Sequence, residues 1–189
     1  MKEKTKKLNL GCGLFPKTGY VNVDISPRSK ADVVHDLTVF PYPFEDESFD
    51  LIEADHVLEH LPDVFTVMQE LHRILKKNGR LVIRVPHFSR GFTHADNKRG
   101  FDVTFPYYFD PAFAAGYCGV TYQIGYMRLR WFAQPYLKKE ILSPIAYCLA
   151  RWVGSMIDSL ANLSPILCSR VWCFLVGGFE KIEFHFVKE

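Results

Sequence analysis

From Lys7 to Pro86 the chain alternates short apolar runs with turn residues, the pattern of buried parallel strands and their connections. The runs predict strands at Lys7–Leu10, Tyr20–Asp24, Asp32–His35, Phe49–Ala54 and Arg80–Pro86, the last carrying Leu81, Val82, Ile83 and Val85. Between the fourth and fifth, Phe65, Met68, Leu71 and Leu75 fall on one face of a 3.6-residue period and predict a helix over Asp63–Lys77. Pro62 suits its start and Asn78-Gly79 its stop, while Arg73, Lys76 and Lys77 favour the negative end of its dipole. Strand, helix and strand in that order imply a right-handed parallel crossover and an α/β fold.

After Pro86 the pattern changes. His87–Pro111 is rich in Gly, Pro, His, Asp and aromatics, among them Phe88, Phe92, Phe101, Phe105 and Phe109. Such a stretch reads either as a lid over a ligand or as aromatic packing over the sheet edge. Asp110–Ala115 can begin a helix at Pro111, and Thr121–Phe132 passes as a strand. Lys138–Val176 reads as helical, broken at Pro144, at Asn162-Leu163-Ser164 and at Pro165. Lys181–Val187 alternates apolar with polar residues as a closing strand. The apolar Leu142–Val176 stretch holds Trp152, Trp172 and Phe174, yet Arg151, Asp158, Arg170 and two prolines interrupt it too often for a membrane span. It reads as core or homodimer contact, or as a surface meeting lipid or a lipid-linked substrate.

Composition narrows the class. A chain of 189 residues with 48% hydrophobic and 23% charged content matches one ordinary globular domain. A formal net charge of +2 gives no reason to expect a nucleic-acid partner. The lysines of Met1–Lys7 read as a solvated lead-in, with no apolar signal segment behind them. Cys12, Cys118, Cys148, Cys168 and Cys173 form no C-x-x-C pair, so neither a disulfide framework nor a cysteine zinc site is expected. Reduced thiols and a cytoplasmic location follow as expectations.

The candidate chemistry gathers at strand ends. Leu8-Asn9-Leu10-Gly11-Cys12-Gly13 closes the first strand with glycines that let a ligand approach the backbone. Pro16 stands where a dinucleotide fingerprint would place its third glycine, which argues against a pyrophosphate-binding helix. Asp24 ends the second strand, where a carboxylate can accept from both hydroxyls of a ribose. Asp36, beside Leu37, follows the third, where one acceptor and one neighbouring amide can hold an adenine edge. Asp55-His56 ends the fourth and His87 follows the fifth. Ligands of open α/β sheets bind outside these carboxyl ends. His56-Val57-Leu58-Glu59-His60 also spells a zinc-peptidase pattern, which needs a helix through all five residues and a further ligand.

Leu8–Gly13, Asp24, Asp36-Leu37, the run Pro43-Phe44-Glu45-Asp46-Glu47-Ser48-Phe49-Asp50 and His56–Leu61 resemble the successive motifs of class I S-adenosylmethionine-dependent methyltransferases. Gly19–Asp24, Val85–His87 and His94–Phe101 resemble, more narrowly, small methyltransferases associated with cell-surface polysaccharide biosynthesis. The resemblance covers about residues 7–110. It implies a Rossmann-like three-layer α/β/α sandwich with a seven-stranded, mostly parallel sheet and an antiparallel last strand. It implies S-adenosylmethionine as cofactor, with Gly11, Cys12 and Gly13 at the methionine part, Asp24 at the ribose and Asp36-Leu37 at the adenine. Leu10, Ile25 and His56 complete the cofactor set. Residues 7–86 become the cofactor-binding core, 87–120 an acceptor-site region, and 136–178 an apolar helical insertion within one domain over 1–189.

One departure stands out. Ten residues separate Gly13 from Asp24, too few for the usual first helix with its connections. A loop is expected there, with the apolar Leu142–Val176 segment covering the bared sheet face, within the chain or across a homodimer. The expected reaction is methylation of a small molecule or saccharide at a hydroxyl, which needs a base. His87 is the first candidate for an acceptor-side base and His56 the second, with His94 and Asp96 in reserve; no metal is expected. The rival readings are a cofactor-binding protein without catalysis and a zinc hydrolase using His56, Glu59 and His60.

Overall fold

The computed structural model describes residues 5–90, 94–114 and 116–189, so Met1–Lys4 of the lysine lead-in, Phe92 and Ala115 lie outside the described residues. Seven strands, β1 (Lys7–Leu10), β2 (Val21–Asp24), β3 (Val33–Val34), β4 (Phe49–Asp55), β5 (Leu75–Val85), β6 (Tyr122–Arg130) and β7 (Lys181–Lys188), form one sheet in the order β3-β2-β1-β4-β5-β7-β6. Pairing is parallel from β3 to β5, and β7 runs antiparallel to both β5 and β6. This is the Rossmann-like arrangement expected. Strand order reverses between β1 and β4, so their carboxyl ends open the crevice where such sheets bind ligands.

One face of the sheet is the core. Ile52 and Ala54 of β4, Leu81, Ile83 and Val85 of β5, and Ile182, Phe184 and Phe186 of β7 are all buried on alternate positions. Helix α1 (Val64–Ile74) adds Val67, Met68, Leu71 and Ile74 to this core, and Asp63 caps it by accepting from the Thr66 amide at 3.1 Å. It stops earlier than the periodicity predicts: Leu75 already pairs with Phe49 of β4. Residues 76–79 bulge out of that pairing, with Asn78 at φ 61 and Lys76 bonded to Asp50 at 3.1 Å.

Half of the aromatic stretch is core rather than lid. Phe101, Phe105 and Phe109 are buried, and Phe105 and Phe109 meet the rings of Phe184, Phe186 and Tyr122 at 5.4–6.4 Å. Residues 105–109 form a 3-10 turn, and the helix expected from Asp110 is replaced by turns in which Asp110 accepts from the Ala112 amide at 2.9 Å.

The β1–β2 connection contains no helix, as its length requires. Two buried asparagines hold it instead. Asn22 Oδ1 accepts from the Lys17 amide at 2.7 Å and from Asn9 Nδ2 at 2.9 Å. Asn22 Nδ2 reaches the Lys17 and Tyr20 carbonyls at 3.2 and 3.3 Å. The sheet face beneath carries ions, not an apolar layer. Arg84 bonds Glu183 at 2.5 Å and lies 3.5 Å from both Glu53 and Asp55, while Lys17 bonds Glu53 at 2.7 Å. Burial pushes the Glu183 carboxyl up, but hydrogen bonds from His185, Arg84 and Tyr126, with the Arg84 charge, outweigh it and hold the group down at about 2.

Helices α2 (Pro135–Ile141), α3 (Pro144–Ala161) and α4 (Pro165–Arg170) break where the prolines predict. They reach the ion-bearing face beside β6, where α3 and Glu183 line one cavity; α3 is buried only at Gly154, Asp158 and Ala161, against the end of β6. Asp158 accepts from the Trp131 amide at 2.7 Å and from Arg130 at 3.3 Å. Asn162 exchanges two hydrogen bonds with the Leu129 backbone, at 2.8 and 2.9 Å.

His87 fixes α4 to the end of β5. Its Nε2 lies 2.9 Å from Ser169 Oγ, which donates to Asp102 at 2.6 Å, and Arg170 closes on Asp102 at 2.7 Å. His87 Nδ1 lies 2.7 Å from Ser89 Oγ. The ring is 0% exposed, and burial lowers its pKa from 6.5 to about 4 against the opposing charge of Asp102. The expectation of a rim-facing base at His87 is therefore corrected: both nitrogens are engaged and the side chain is fully buried.

Because the folded value lies below the unfolded one, the unfolded chain takes up a proton below pH 6.5 that the folded chain refuses until about pH 4. The contribution is complete above the unfolded value and is lost as pH falls through that window, by roughly 3 kcal/mol. Urea unfolding at pH 7 and pH 4 should thus show a smaller acid loss for His87→Gln than for the parent. Equal losses would remove His87 from the acid sensitivity.

Candidate active site

Gly11–Gly13 and His56 line one cleft at the carboxyl edge of the sheet, with Asp24 bonded to Gly13; Asp36 follows a strand end on the same edge but lies apart from the residues lining the cleft. Gly11 adopts φ +62, and a Cβ there would lie 2.4 Å from Val57 Cγ2, so the first loop and the turn after β4 pack together only through glycine. Gly13, at φ +51, faces open space and donates its amide to Asp24 Oδ2 at 2.7 Å. Ser26 donates to Asp24 Oδ1 at 2.9 Å. A carboxylate offers about four acceptor positions, so this half-buried group retains capacity for a ligand diol. Ile25 beside it is 62% exposed and offers an apolar platform.

Asp36 accepts from the Thr38 amide at 2.9 Å and from its hydroxyl at 2.8 Å; these bonds, the amide first, hold the carboxyl below its ordinary value. Leu10, Cys12 and Leu37 have buried side chains, so only their backbone can meet a ligand. Burial, then the charge of Asp24, pushes the Cys12 thiol up, and it stays protonated at neutral pH.

Two clefts converge here. The first, about 470 Å³, lies between the Gly11–Phe15 loop and the start of α2. The second, about 540 Å³, extends past Pro86 to Arg90, His94 and Lys138. His56 lines both. Its backbone sits at φ 56, a conformation that costs a residue with a Cβ about 1–2 kcal/mol, and its amide bonds the Arg84 carbonyl at 2.8 Å. His56 Nδ1 lies 3.0 Å from Oε1 of the buried Glu59. Among the described residues, His56 Nε2 and Glu59 Oε2 have no hydrogen-bond partner. Such orphaned atoms at the seam of two clefts are what a polar ligand group would satisfy.

The zinc-peptidase pattern does not become a helix. His56 precedes a three-residue 3-10 turn, Leu58–His60, and its ring is held by Glu59 itself. His60 turns away to the Asp96 carbonyl at 3.1 Å. Among the described residues, no cluster of three or more His, Cys, Asp or Glu could hold a metal ion. Of the reserve pair, His94 lines the second cleft and Asp96 is exposed beside it.

Sequence patterns did not single out the residues on the far wall. Gln134, at φ 48, lines both clefts, and Tyr136 packs on Phe15 with ring centres 5.9 Å apart. Lys181 reaches the first cleft because β7 runs antiparallel and so begins at the carboxyl edge. The one local signal was Gln134-Pro135, a break before a helix.

The Methyltransferase domain family matches residues 8–83. A demethylmenaquinone methyltransferase of Alkalihalophilus pseudofirmus is 40% identical over 40 residues, 21% of this chain and 17% of that protein. A sterol 4-C-methyltransferase of Caenorhabditis elegans is 36% identical over 64 residues, 34% of this chain and 18% of that one. The chain thus spans less than a fifth of the length of either relative. An S-adenosylmethionine-dependent methyltransferase from Archaeoglobus fulgidus superposes over 99% of this chain and 87% of its own, with TM-score 0.59 and 16% identity, a likeness of fold. Residues 8–83 thus match the methyltransferase-domain family, and the glycine loop, the acidic strand ends and the 3-2-1-4-5-7-6 sheet accord with that match.

Proposed function

We propose that the chain transfers a methyl group from S-adenosylmethionine to a hydroxyl of a small molecule or saccharide held in the second cleft. One observation carries this reading: the His56 side chain lines both clefts while a buried carboxylate holds one of its nitrogens. The second cleft is rich in hydrogen-bonding groups, with His60, Arg90, His94, Asn97 and Lys138 on its walls, which suits a polyhydroxylated acceptor. The acceptors in the relatives' names, a demethylmenaquinone and a sterol, belong to those proteins; the stretches shared with them are short.

The cofactor, when bound, supplies an electrophilic methyl on a sulfonium. The open backbone at Gly13 would admit its methionine part, Asp24 would accept from the ribose hydroxyls, and Asp36 would serve the adenine. Tyr136, Phe15 and Gln134 wall the first cleft. With Nδ1–H donated to Glu59, His56 presents Nε2 as an acceptor for the proton of the attacking hydroxyl. Glu59 then stabilises the charged ring. His87 belongs to the framework in this scheme.

Calorimetric titration should give micromolar-range binding of S-adenosylmethionine and of its demethylated product. Asp24→Ala should weaken both by roughly ten- to a hundredfold, since hydrogen bonds to a charged group are worth about 1.5–3 kcal/mol. Parent-like affinity in a folded variant would displace Asp24 from the ribose site.

Transfer of a radiolabelled methyl group to a panel of sugars and sugar phosphates tests the base. His56→Ala should lower turnover by about 10²–10⁴-fold while cofactor affinity changes little. Glu59→Gln should reduce kcat with KM nearly constant. Cofactor binding without transfer to any acceptor, or an active His56→Ala, would overturn the assignment.

A further inference from the structure

Charges on the ion-bearing face of the sheet balance at one side and not at the other. Toward β1 they are paired, Lys17 with Glu53, and Arg84 with Glu53, Asp55 and Glu183. Toward the outer edge, Arg128 and Arg130 of β6 and Lys181 of β7 lie on the same face, two residues apart or directly opposite. With Arg151 of α3 they line a cavity of about 330 Å³ between the inward side of that helix and the sheet. A volume of this order suits a small ligand.

Two carboxylates, Asp158 and Glu183, face these four cations, and both are already engaged. Asp158 accepts from the Trp131 amide and from Arg130, and Glu183 is held by Arg84, Tyr126 and His185. Among the described residues, no carboxylate lies within ion-pair distance of Arg128, Arg151 or Lys181. Arg128 stands opposite Glu183 in the strand register without pairing to it, and Arg151 rests 5.7 Å from the centre of the Tyr147 ring. The register adds a cost: Arg130 lies directly opposite Lys181, and like charges so placed repel. Burial pushes the Lys181 ammonium down, opposed by Asp55 and Glu183 and assisted by Arg84 and Arg130. A multiply charged anion in the cavity relieves both. Guanidinium forks match the oxygens of a phosphate, and the cavity shares Ala133 and Gln134 with the second cleft.

We propose that this cavity binds the phosphate or diphosphate group of the methyl acceptor through Arg128, Arg151 and Lys181. The acceptor is then a phosphorylated compound, its charged group under α3 and the part to be methylated in the second cleft. That link to the acceptor rests on the methyl-transfer reading, whereas the anion site stands without it.

Calorimetric titration of the full chain tests both parts, using inorganic phosphate, inorganic diphosphate and a panel of hexose phosphates. Diphosphate should bind the parent at low salt and more weakly at high salt. The double variant Arg128→Ala/Arg151→Ala should bind it at least about tenfold more weakly, since each substitution removes a charged hydrogen-bond donor. Both side chains are exposed and neither lines the first cleft, so melting temperature and S-adenosylmethionine affinity should stay at the parent's values. At least one hexose phosphate should bind the parent about fivefold or more tighter than inorganic phosphate, because its sugar adds contacts in the second cleft. A parent that binds no diphosphate, or a double variant that binds it equally well, overturns the anion site. Loss of S-adenosylmethionine affinity in a folded double variant does so too, because the cavity then serves the cofactor. Equal affinity for inorganic phosphate and every hexose phosphate assigns the cavity to free phosphate and overturns the link to the acceptor. Tight hexose phosphate binding in a chain that methylates nothing sinks the methyl-transfer reading and leaves the anion site standing.

Discussion

Everything unusual in this molecule begins with the shortness of one connection. Ten residues between Gly13 and Asp24 leave no room for a helix, so the loop's backbone groups need partners from elsewhere. Asn9 and Asn22, buried on adjacent strands, supply them. With no helix above it, the face of β1, β4 and β5 cannot be apolar. Lys17, Glu53, Arg84 and Glu183 take its place as a linked set of charges. The same shortness leaves the far wall of the cofactor cleft to be built by residues 134–136, from the other end of the chain.

The site is a seam between two cavities, and the turn after β4 sets it. A non-glycine residue with positive φ, a buried acid three residues on, and two orphaned polar atoms all fall within four residues. Strain and unsatisfied groups are costly in a protein of marginal stability, and they concentrate where a ligand would relieve them. Val57 in the same turn packs so closely on Gly11 that a side chain there would collide with it, which joins the histidine's turn to the glycine loop.

The parallel strands and α1 were legible because burial on a sheet face imposes alternation, and on a helix a 3.6-residue period, that no other structure needs. The acids and glycines at strand ends were legible because their spacing fits no other part of an α/β fold. His87 was misread for want of long-range information. Its position after β5 is that of a rim residue, but Ser169, 82 positions away, closes over it. The end of α1 was placed too far along because Asn78-Gly79 is a good helix stop that in fact serves a bulge in β5. For Leu142–Val176, hydrophobicity alone marked the segment without saying which way it faces.

The outer strand of the sheet carries a further consequence. β6 is an edge, with one row of backbone groups that another chain could use as a template for pairing. It is blunted at both ends by different means. Near its start the register slips between Ile124 and Tyr126, around Gly125, and such a kink twists the edge out of line with any incoming strand. Near its end the amide of Asn162 occupies both hydrogen-bonding groups of Leu129, imitating one residue of a neighbouring strand. Loosening α3 would therefore uncover not only apolar side chains but an open hydrogen-bonding edge beside them, and the two together are the starting conditions for sheet-to-sheet aggregation.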